Sequence, residues 1–490
     1  MPARLLTALL IGLALLPAAA GAQDAPPAFV PQPCAFKAPD GINVDCGYVV
    51  VPEDRANPDG PGIRLPVAIF HSVGETPAPD PVVLLVGGPG GQALEYPDYT
   101  FRPNYAEFLK TRDFILYEQR GVGTSRPSLD CPGLERLYPA ILGQPRTPDE
   151  ALELEYQALG DCRETLERRG LNLNAYSSAI SAADLDDLRR ALGYESWNLL
   201  GVSYGSRLAL TALRDRPEGI RSVILDSVYP LQVNLFETLA PHQQQAFERL
   251  FAACAADAAC SKTFPDLPEV FYSLVERLNA EPLDVRLPGR VYVNGDLVAN
   301  MVFNRLYRAD EIPRIPQMIY GIRDGQMRWL RPMIDDYLGR SYGLSEGFYY
   351  TVQCGEEVSF STLDRALEAG AALEARLRPG YERDMRGLYA LCERWGAPAA
   401  APYEDEAVTS DIPALVLSGQ FDPITPPEWG RLAADTLENG HFFEFPGVGH
   451  GVVRSNACGL QMTLAFLDDP TRPPDDACIA ALPGMTFETP

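Results

Sequence analysis

Basic residues are scarce in this sequence of 490 residues, which has 41 Lys and Arg against 66 Asp and Glu and a formal net charge of −25. Nucleic-acid binding needs a surplus of Lys and Arg for phosphate contacts, so the imbalance argues against such a partner. It argues equally against docking on an anionic membrane surface. We interpret the charge mainly as a solubility feature of an exported protein, and a cationic substrate is the weaker alternative.

Motifs for metal and nucleotide binding are also absent. No C-x-x-C occurs, and the four histidines, His71, His242, His441 and His450, are scattered, so no metal site is expected. A phosphate-binding loop would need the motif G-x-x-x-x-G-K-[ST], and no Lys follows the glycine-rich VGGPGG. The sequence therefore implies neither a metal nor a cofactor.

Apolar runs long enough to span a bilayer are missing as well. The chain begins with Arg4, an apolar run over 5–16 and small residues, and the AGA at 20–22 fits a cleavage site that would make Gln23 the new N-terminus. The run is too short to cross a membrane comfortably, although a retained anchor is the alternative. We predict a signal peptide over residues 1–22 and a soluble mature protein that is secreted or periplasmic.

Cysteine, in contrast, is present ten times, which agrees with an oxidising compartment. Sequence alone leaves the connectivity of a disulfide framework open. Pairing of nearest neighbours along the chain predicts five bonds: Cys34 with Cys46, Cys131 with Cys162, Cys254 with Cys260, Cys354 with Cys392, and Cys458 with Cys478.

The order of apolar runs predicts an α/β fold with an insertion. The chain is too long for one ordinary compact core. Two β-like runs near its start suggest an antiparallel beginning of a sheet, and later strands and helices alternate as in a parallel sheet covered by helices. We predict that 23–228 and 406–490 form this core and that 229–405 is a mostly helical insertion.

The central segment carries the firmest local prediction. SAADLDDLRRALG predicts a helix with Ser181 as N-cap, Asp184 three residues on and Gly193 at its end. The apolar SWNLLG then predicts a strand, and YGSRLALTALRDRP predicts a helix that stops near Pro217. Ser203 lies at the turn between these two elements.

Ser203 lies in a G-x-S-x-G motif, Gly201 to Gly205, and we predict that it is a catalytic nucleophile. A tight turn from strand to helix exposes such a serine above a sheet, and the helix N-terminus behind it favours an oxyanion. A plain glycine turn is the alternative. A second match, GLSEG around Ser345, follows polar sequence and precedes no helical period, so we do not expect Ser345 to be a nucleophile.

A nucleophilic serine needs a base and an acid, which follow it in this order along the chain: serine, acid, histidine. His450 lies in the glycine loop FPGVGHG at the end of a strand, where active sites of open α/β sheets lie. His441 begins that strand and should lie at the wrong edge. For the acid, Asp422 after the preceding strand is favoured over Asp226.

The oxyanion hole is predicted to use backbone N–H groups. One comes from Tyr204, the residue after the nucleophile. The other comes from VGGPGG, where Pro89 has no N–H, so that Gly87 or Gly88 must supply it; we favour Gly88.

Taken together, GGPGG, EQRGVGTSRP, DLDDLRRALG, NLLGVSYGSRLAL, SGQFDPITPPEWG and PGVGHGV resemble the α/β-hydrolase fold, and more narrowly the prolyl aminopeptidase and tripeptidyl aminopeptidase-like exopeptidases. The resemblance implies a triad of Ser203, Asp422 and His450 beneath a helical cap. Two departures blur the subfamily: Val86 stands where many relatives have His or Asn, and Glu118 stands where many have Asp.

The resemblance also implies cleavage of short peptides from a free N-terminus, which requires an anion for the substrate's ammonium group. YYTVQCGEEVSF offers Glu356 and Glu357 beside a cysteine, and Glu356 stands where similar proteins tend to have an acid. The hypothesis is that Glu356 helps to anchor the amine. A solvated acidic pair is the alternative.

These observations predict an exported serine hydrolase that acts as an aminopeptidase on short peptides. An esterase or lipase with the same triad is the first alternative, because one triad serves both reactions. A non-catalytic binding protein on a hydrolase scaffold is the second.

Overall fold

A computed structural model describes residues 28–94, 103–287, 289–339 and 343–490. The predicted signal peptide over residues 1–22 lies outside the described residues. In the part of the chain that is described, no helix is both long and apolar enough to cross a membrane.

Nine strands of the described residues form one sheet in the order β1-β2-β3-β5-β4-β6-β7-β10-β11, and β8 pairs only with β9. The strands are β1 (Phe29–Pro31), β2 (Val44–Pro52), β3 (Gly62–Phe70), β4 (Val82–Leu85), β5 (Phe114–Tyr117), β6 (Trp197–Ser203), β7 (Ile220–Val228), β8 (Leu283–Arg286), β9 (Arg290–Val293), β10 (Ala414–Gly419) and β11 (Gly440–Phe445). The first strands pair antiparallel, as predicted, and the sheet is parallel from β5 to β11.

Helices cover both faces of this sheet and form a separate layer above it. They are α1 (Leu134–Leu142), α2 (Pro148–Arg168), α3 (Ser178–Leu192), α4 (Tyr204–Asp215), α5 (Leu235–Ala256), α6 (Ala258–Thr263), α7 (Leu267–Ala280), α8 (Gly295–Arg305), α9 (Ile315–Arg323), α10 (Met327–Gly339), α11 (Glu346–Glu356), α12 (Leu363–Ala369), α13 (Arg378–Trp395), α14 (Pro427–Ala434), α15 (Val452–Ser455), α16 (Ala457–Asp468) and α17 (Ala477–Ala480).

The central strands are largely apolar and buried because helices cover them on both sides. All residues of β4 (VVLL) and β5 (FILY) are buried, and β10 (ALVLSG) is buried throughout. Continuous burial of this kind is typical of parallel strands. The carboxyl ends of β6, β7, β10 and β11 therefore meet at one edge of the sheet, and the loops that follow them share that edge.

The helical layer has its own core, and this core extends beyond the predicted insertion. Helices α5 to α13 share one hydrophobic cluster, and the cluster also contains Leu134 of α1 and Leu159 of α2. The hairpin of β8 and β9 interrupts the predicted helical run. The boundaries at 228/229 and 405/406 stay a prediction.

The predicted helix that ends at Gly193 is confirmed, but its predicted start was wrong, and one further helix was missed. The N-cap of α3 is Ser177, whose side chain accepts the N–H of Ile180, so Ser181 lies inside the helix. Asp184 does not cap the helix; it receives two hydrogen bonds from the buried Arg120, at 2.7 and 2.6 Å. The expectation that no helix follows Ser345 was also wrong, because α11 begins at the next residue. Its helical period is hidden since nearly all of its residues are buried.

The ten cysteines all lie in described segments, and the predicted pairing of nearest neighbours is confirmed. Five disulfides join Cys34 to Cys46, Cys131 to Cys162, Cys254 to Cys260, Cys354 to Cys392, and Cys458 to Cys478. Disulfides persist in oxidising compartments and are rare in the cytosol. The pairing therefore agrees with an extracytoplasmic location.

Three of these bonds tie a helix to a chain segment or helix that lies near it in sequence. Cys162 of α2 is bound to the segment before α1, Cys260 ties α6 to the end of α5, and Cys478 ties α17 to α16. Helices α6 and α17 have only six and four residues, too few to be stable helices by themselves. The bonds therefore connect these short helices covalently to longer neighbours.

Candidate active site

Ser203 ends β6 and immediately precedes α4, at the turn expected for it. Its backbone has φ 60° and ψ −128°, a conformation that residues other than glycine rarely adopt and that costs on the order of 1–3 kcal/mol. The flanking glycines permit the turn: a Cβ on Gly205 would lie 1.8 Å from the carbonyl oxygen of Leu85, and one on Gly201 would lie 2.4 Å from that of Gly205. The strain is thus maintained by close packing of strand against helix.

The strained turn is held by a buried serine one turn into α4. The hydroxyl of Ser206 donates to the carbonyl oxygen of Ser203 at 2.6 Å, and it accepts the N–H of Tyr229 at 2.9 Å. The N–H of Tyr204 is the first of the helix, and such groups have no partner within a helix. The turn therefore presents a hydroxyl beside an N–H that makes no bond within the helix.

His450 and Asp422 meet in the loops that follow β11 and β10. The Nδ1 atom of His450 lies 2.8 Å from Oδ2 of Asp422, and the side chains are 7% and 0% exposed. An ionised carboxylate can only accept, so Nδ1 carries a proton, and in the neutral ring Nε2 is then the acceptor. Burial opposes ionisation of Asp422, but the charge and hydrogen bond of His450 and the N–H of Thr425 lower the pKa of this carboxyl.

Thr425 and Ser227 complete this pair, and neither was predicted from the sequence. The Thr425 hydroxyl donates to Oδ2 of Asp422 at 2.8 Å and lies 3.2 Å from Nδ1 of His450. Ser227 has φ 59° and lies at a register shift where Ser203 pairs with Val228. The only sequence signal for Thr425 is its place three residues after the acid in DPIT.

Ser227 also links the histidine loop to the end of β7. Its hydroxyl accepts the N–H of Gly451 at 2.8 Å. Because β7 pairs with β6 up to Ser203, this bond anchors the residue after His450 at the same sheet edge as Ser203. On the opposite side, the ring of Tyr307 from the helical layer lies 5.0 Å from the imidazole ring, and its carbonyl oxygen accepts the N–H of His450.

Asp226, the competing acid, has a different role. Its two carboxylate oxygens accept the N–H groups of Val452 and Val453, at 2.7 and 2.9 Å. Burial raises the pKa of Asp226, although these bonds and the charge of His450 oppose the rise. Asp226 thus caps the start of α15, directly after the histidine loop.

The glycine loop after β4 lies against the serine turn. A Cβ on Gly87 would lie 2.8 Å from the Cβ of Ser203, so the backbone of the loop approaches Ser203 directly. Glu118 supports the loop: its carboxylate accepts the N–H groups of Ala93 and Leu94, each at 2.9 Å. Glu118, which departs from the resembled pattern, therefore holds the backbone just after the predicted oxyanion segment.

Glu356 and Glu357 are buried at 5% and 2% exposure, so they are not a solvated pair. Glu356 accepts the N–H and the hydroxyl of Ser178, each at 2.6 Å. Burial raises the pKa of Glu356 to about 6. Glu357 lies 2.9 Å from Arg207 and accepts the N–H of Leu235 at 2.8 Å. Both carboxylates thus already have protein donors, and amine anchoring stays a prediction.

Comparison with known proteins agrees with this geometry. A family model described as the alpha/beta hydrolase fold matches residues 80–454. The serine protease Hip1 of Mycobacterium tuberculosis (strain ATCC 25618 / H37Rv) is 24% identical over 457 residues, which cover 88% of this chain and 86% of that protein.

Two further relatives differ in their named activities. The tripeptidyl aminopeptidase of Streptomyces lividans is 32% identical over 211 residues, 42% of this chain and 39% of that protein. Carboxylesterase B of Mycobacterium tuberculosis (strain CDC 1551 / Oshkosh) is 27% identical over 457 residues, 88% of this chain and 85% of that protein. The predicted resemblance and the predicted class, a serine hydrolase, are confirmed by these matches, and the chain belongs to the α/β-hydrolase fold family.

Proposed function

We propose that this protein is an exported aminopeptidase that releases residues or short peptides from free N-termini, with Ser203, Asp422 and His450 as its catalytic triad. The observation that carries the proposal is the buried contact of 2.8 Å between His450 and Asp422, in loops after β11 and β10 at the sheet edge where the strained Ser203 ends β6. The five disulfides support export.

The reaction follows from the roles of these groups. Nε2 of His450 takes the proton of the Ser203 hydroxyl while Oγ attacks the carbonyl carbon of the scissile bond. The N–H groups of Tyr204 and Gly88 stabilise the resulting oxyanion. His450 then protonates the leaving amine, the C–N bond breaks and an acyl enzyme remains. A water molecule, deprotonated by His450, attacks this ester, and Ser203 regains its proton.

Peptides are the favoured substrates because two relatives are named as a serine protease and a tripeptidyl aminopeptidase. The preference for a free amine rests on Glu356 and Glu357, and it requires an ammonium to compete with Ser178 and Arg207 for these carboxylates. Glu356→Gln and Glu357→Gln, assayed on a free peptide anilide and its N-acetylated form, test the preference. Anchoring predicts a higher KM on the free substrate only; equal effects on both contradict it.

Replacement of Ser203 tests the triad. Ser203→Ala should reduce turnover of a peptide anilide by several orders of magnitude and abolish labelling by a fluorophosphonate probe, as loss of a triad member does. The fold should persist, because alanine retains the Cβ. Wild-type rates in this variant would refute the assignment. An unlabelled wild-type protein would favour a non-catalytic binding protein.

Hydrolysis of small esters is the second candidate function, and the relative named carboxylesterase B favours it. The two candidates share every step up to the leaving group. A peptide anilide and a short p-nitrophenyl ester, assayed side by side, separate them. Tandem mass spectrometry of a digested peptide library then reports whether amide bonds are cut and how many residues leave the N-terminus.

A further inference from the structure

Helix α11 of the helical layer is linked to both segments of the proposed oxyanion hole: directly to the glycine loop at its start, and through Ser178 to Tyr204 at its end. Ser345, which precedes it, is fully buried, and its N–H donates to the carbonyl oxygen of Gly90 at 2.8 Å. The N–H of Gln92 donates to the carbonyl oxygen of Gly343 at 3.0 Å, so the two segments run side by side. Gly90 has φ +84°, and a Cβ there would lie 2.7 Å from the carbonyl oxygen of Ser345. The loop of Gly88 is therefore packed directly on this helix start.

The side chain of Ser345 fixes that contact from a second direction. Its hydroxyl accepts the N–H of Gly123 at 2.9 Å and donates to the carboxylate of Asp130. Gly123 lies in the same loop as Glu118, which holds the N–H groups of Ala93 and Leu94. Ser345 thus bonds both to the glycine loop, through its N–H, and to the loop of Gly123, through its hydroxyl. The serine of this second G-x-S-x-G motif therefore has a structural role.

The other end of α11 reaches Tyr204 through one hydroxyl group. Glu356, the last residue of the helix, accepts the hydroxyl of Ser178 at 2.6 Å, and that hydroxyl lies 2.7 Å from the hydroxyl of Tyr204. An ionised carboxylate can only accept, so Ser178 donates to Glu356 and Tyr204 donates to Ser178. Tyr204 is 1% exposed, and this chain of bonds fixes its side chain. The backbone N–H of the same residue belongs to the proposed oxyanion hole.

We infer that α11 positions the oxyanion hole, with Ser345 setting the segment of Gly88 and Glu356 setting Tyr204 through Ser178. This inference rests on the proposed roles of Ser203, Tyr204 and Gly88. It is an alternative to amine anchoring by Glu356, and it leaves Glu357 as the candidate anchor. The physical reason is that oxyanion donors act only when they are held in place before the reaction, in a site without water. Ser345 and Glu356 are positioning residues, since neither touches the reacting atoms.

The test uses a transition-state analogue. A peptidyl boronic acid forms a tetrahedral adduct with a nucleophilic serine, and one boron-bound oxygen takes the place of the oxyanion. For Ser345→Ala and Glu356→Gln we expect kcat to fall roughly 10–100-fold, less than the 10²–10³-fold loss of a whole oxyanion donor. KM should stay within about threefold, and the boronate Ki should rise by the factor by which kcat/KM falls.

Two comparisons separate positioning from general damage to the helix. Thr351→Val removes the hydrogen bond of 3.0 Å from the Trp395 indole N–H to the middle of α11, so it should lower Tm and leave Ki unchanged. Glu356→Gln and Tyr204→Phe break the same chain of bonds, so their effects should not add. The double variant should have the same Ki as the single variant with the higher Ki. If Glu356→Gln does not fold, Tyr204→Phe carries this arm of the test.

Other outcomes overturn the inference. An unchanged Ki in Ser345→Ala and Glu356→Gln, after active sites are counted by titration, contradicts positioning. So does a rise of KM alone, which would instead match amine anchoring. Failure of the proposed function gives a different result, because the wild-type protein would then resist the boronic acid and Ser203→Ala would retain activity.

Discussion

The Oδ2 atom of Asp422 lies 2.8 Å from the Nδ1 atom of His450, and both side chains are buried. Asp226 lies on the neighbouring strand β7, yet its oxygens bind Val452 and Val453 and not the imidazole ring. Both acids therefore serve the same loop, one by orienting the ring and the other by holding the backbone that follows it.

This division of roles predicts different effects when each aspartate is replaced by asparagine. Asp422→Asn should lower kcat by about 10⁴-fold, because an amide facing Nδ1 stabilises the wrong tautomer of the imidazole. Asp226→Asn should lower Tm with a much smaller effect on kcat. Steady-state kinetics and thermal unfolding of both variants check this. A larger loss of kcat in Asp226→Asn than in Asp422→Asn would mean that the wrong acid has been assigned to the triad, and equal losses would contradict the division of roles.

Thr425 should contribute to catalysis through Asp422. Thr425→Val removes the hydrogen bond of 2.8 Å to Oδ2 and leaves a buried carboxylate with one donor fewer, which costs about 1 kcal/mol. The expected result is a kcat about three- to tenfold lower at unchanged KM. Thr425→Ser keeps the hydroxyl and serves as the matched control, which should stay close to wild type. A valine variant as active as the serine variant would contradict the role.

The serine turn was predictable from sequence because its geometry is local. The turn needs glycine at 201 and 205, only four positions apart. The sequence before Gly201 predicts a strand, and the sequence after Ser203 predicts a helix. The choice between Asp422 and Asp226 is of another kind, since one follows an apolar strand and the other lies near the end of one. It could be weighted by chain order, but the partners of Asp226 are backbone groups more than 200 residues away.

The contacts of α11 were not predictable in the same way. Helical periodicity is visible when one face is polar, and α11 is buried on nearly all sides, so its sequence has no polar stripe. Ser345 and Glu356 bind residues 222 and 178 positions away along the chain. Only the tertiary structure brings a helix of the insertion against two loops of the sheet.

Glu356 predicts a pH dependence of stability. Burial raises its pKa from the ordinary 4.5 to about 6. The unfolded chain therefore loses this proton at lower pH than the folded one, and between these values the folded state binds more protons, so stability falls as pH rises. The contribution is fully present below about pH 4.5 and lost above about pH 6, and it amounts to about 2 kcal/mol.

Glu356→Gln removes this dependence. The difference in unfolding free energy between the wild type and this variant should shift by about 2 kcal/mol between pH 4.5 and pH 7.5, with the variant relatively more stable at the higher pH. Denaturant unfolding at several pH values measures it. A difference that is the same at every pH would mean that the carboxyl titrates normally.

The disulfide between Cys354 and Cys392 should matter for catalysis as well as for stability, because Cys354 lies in α11 and Cys392 in α13. The bond closes a separation of 38 residues, and loss of this constraint on the unfolded chain costs about 4 kcal/mol in the loop-entropy model. The bond between Cys34 and Cys46, with a separation of 12, is the control at about 3 kcal/mol. Cys46 lies on β2, next to the edge strand β1 of the sheet. Replacing either pair by alanine should lower Tm. Only loss of the bond at Cys354 releases α11, so only that variant should also lower kcat and weaken binding of a peptidyl boronic acid. Matching kinetics in the two variants would mean that α11 keeps its place without the bond.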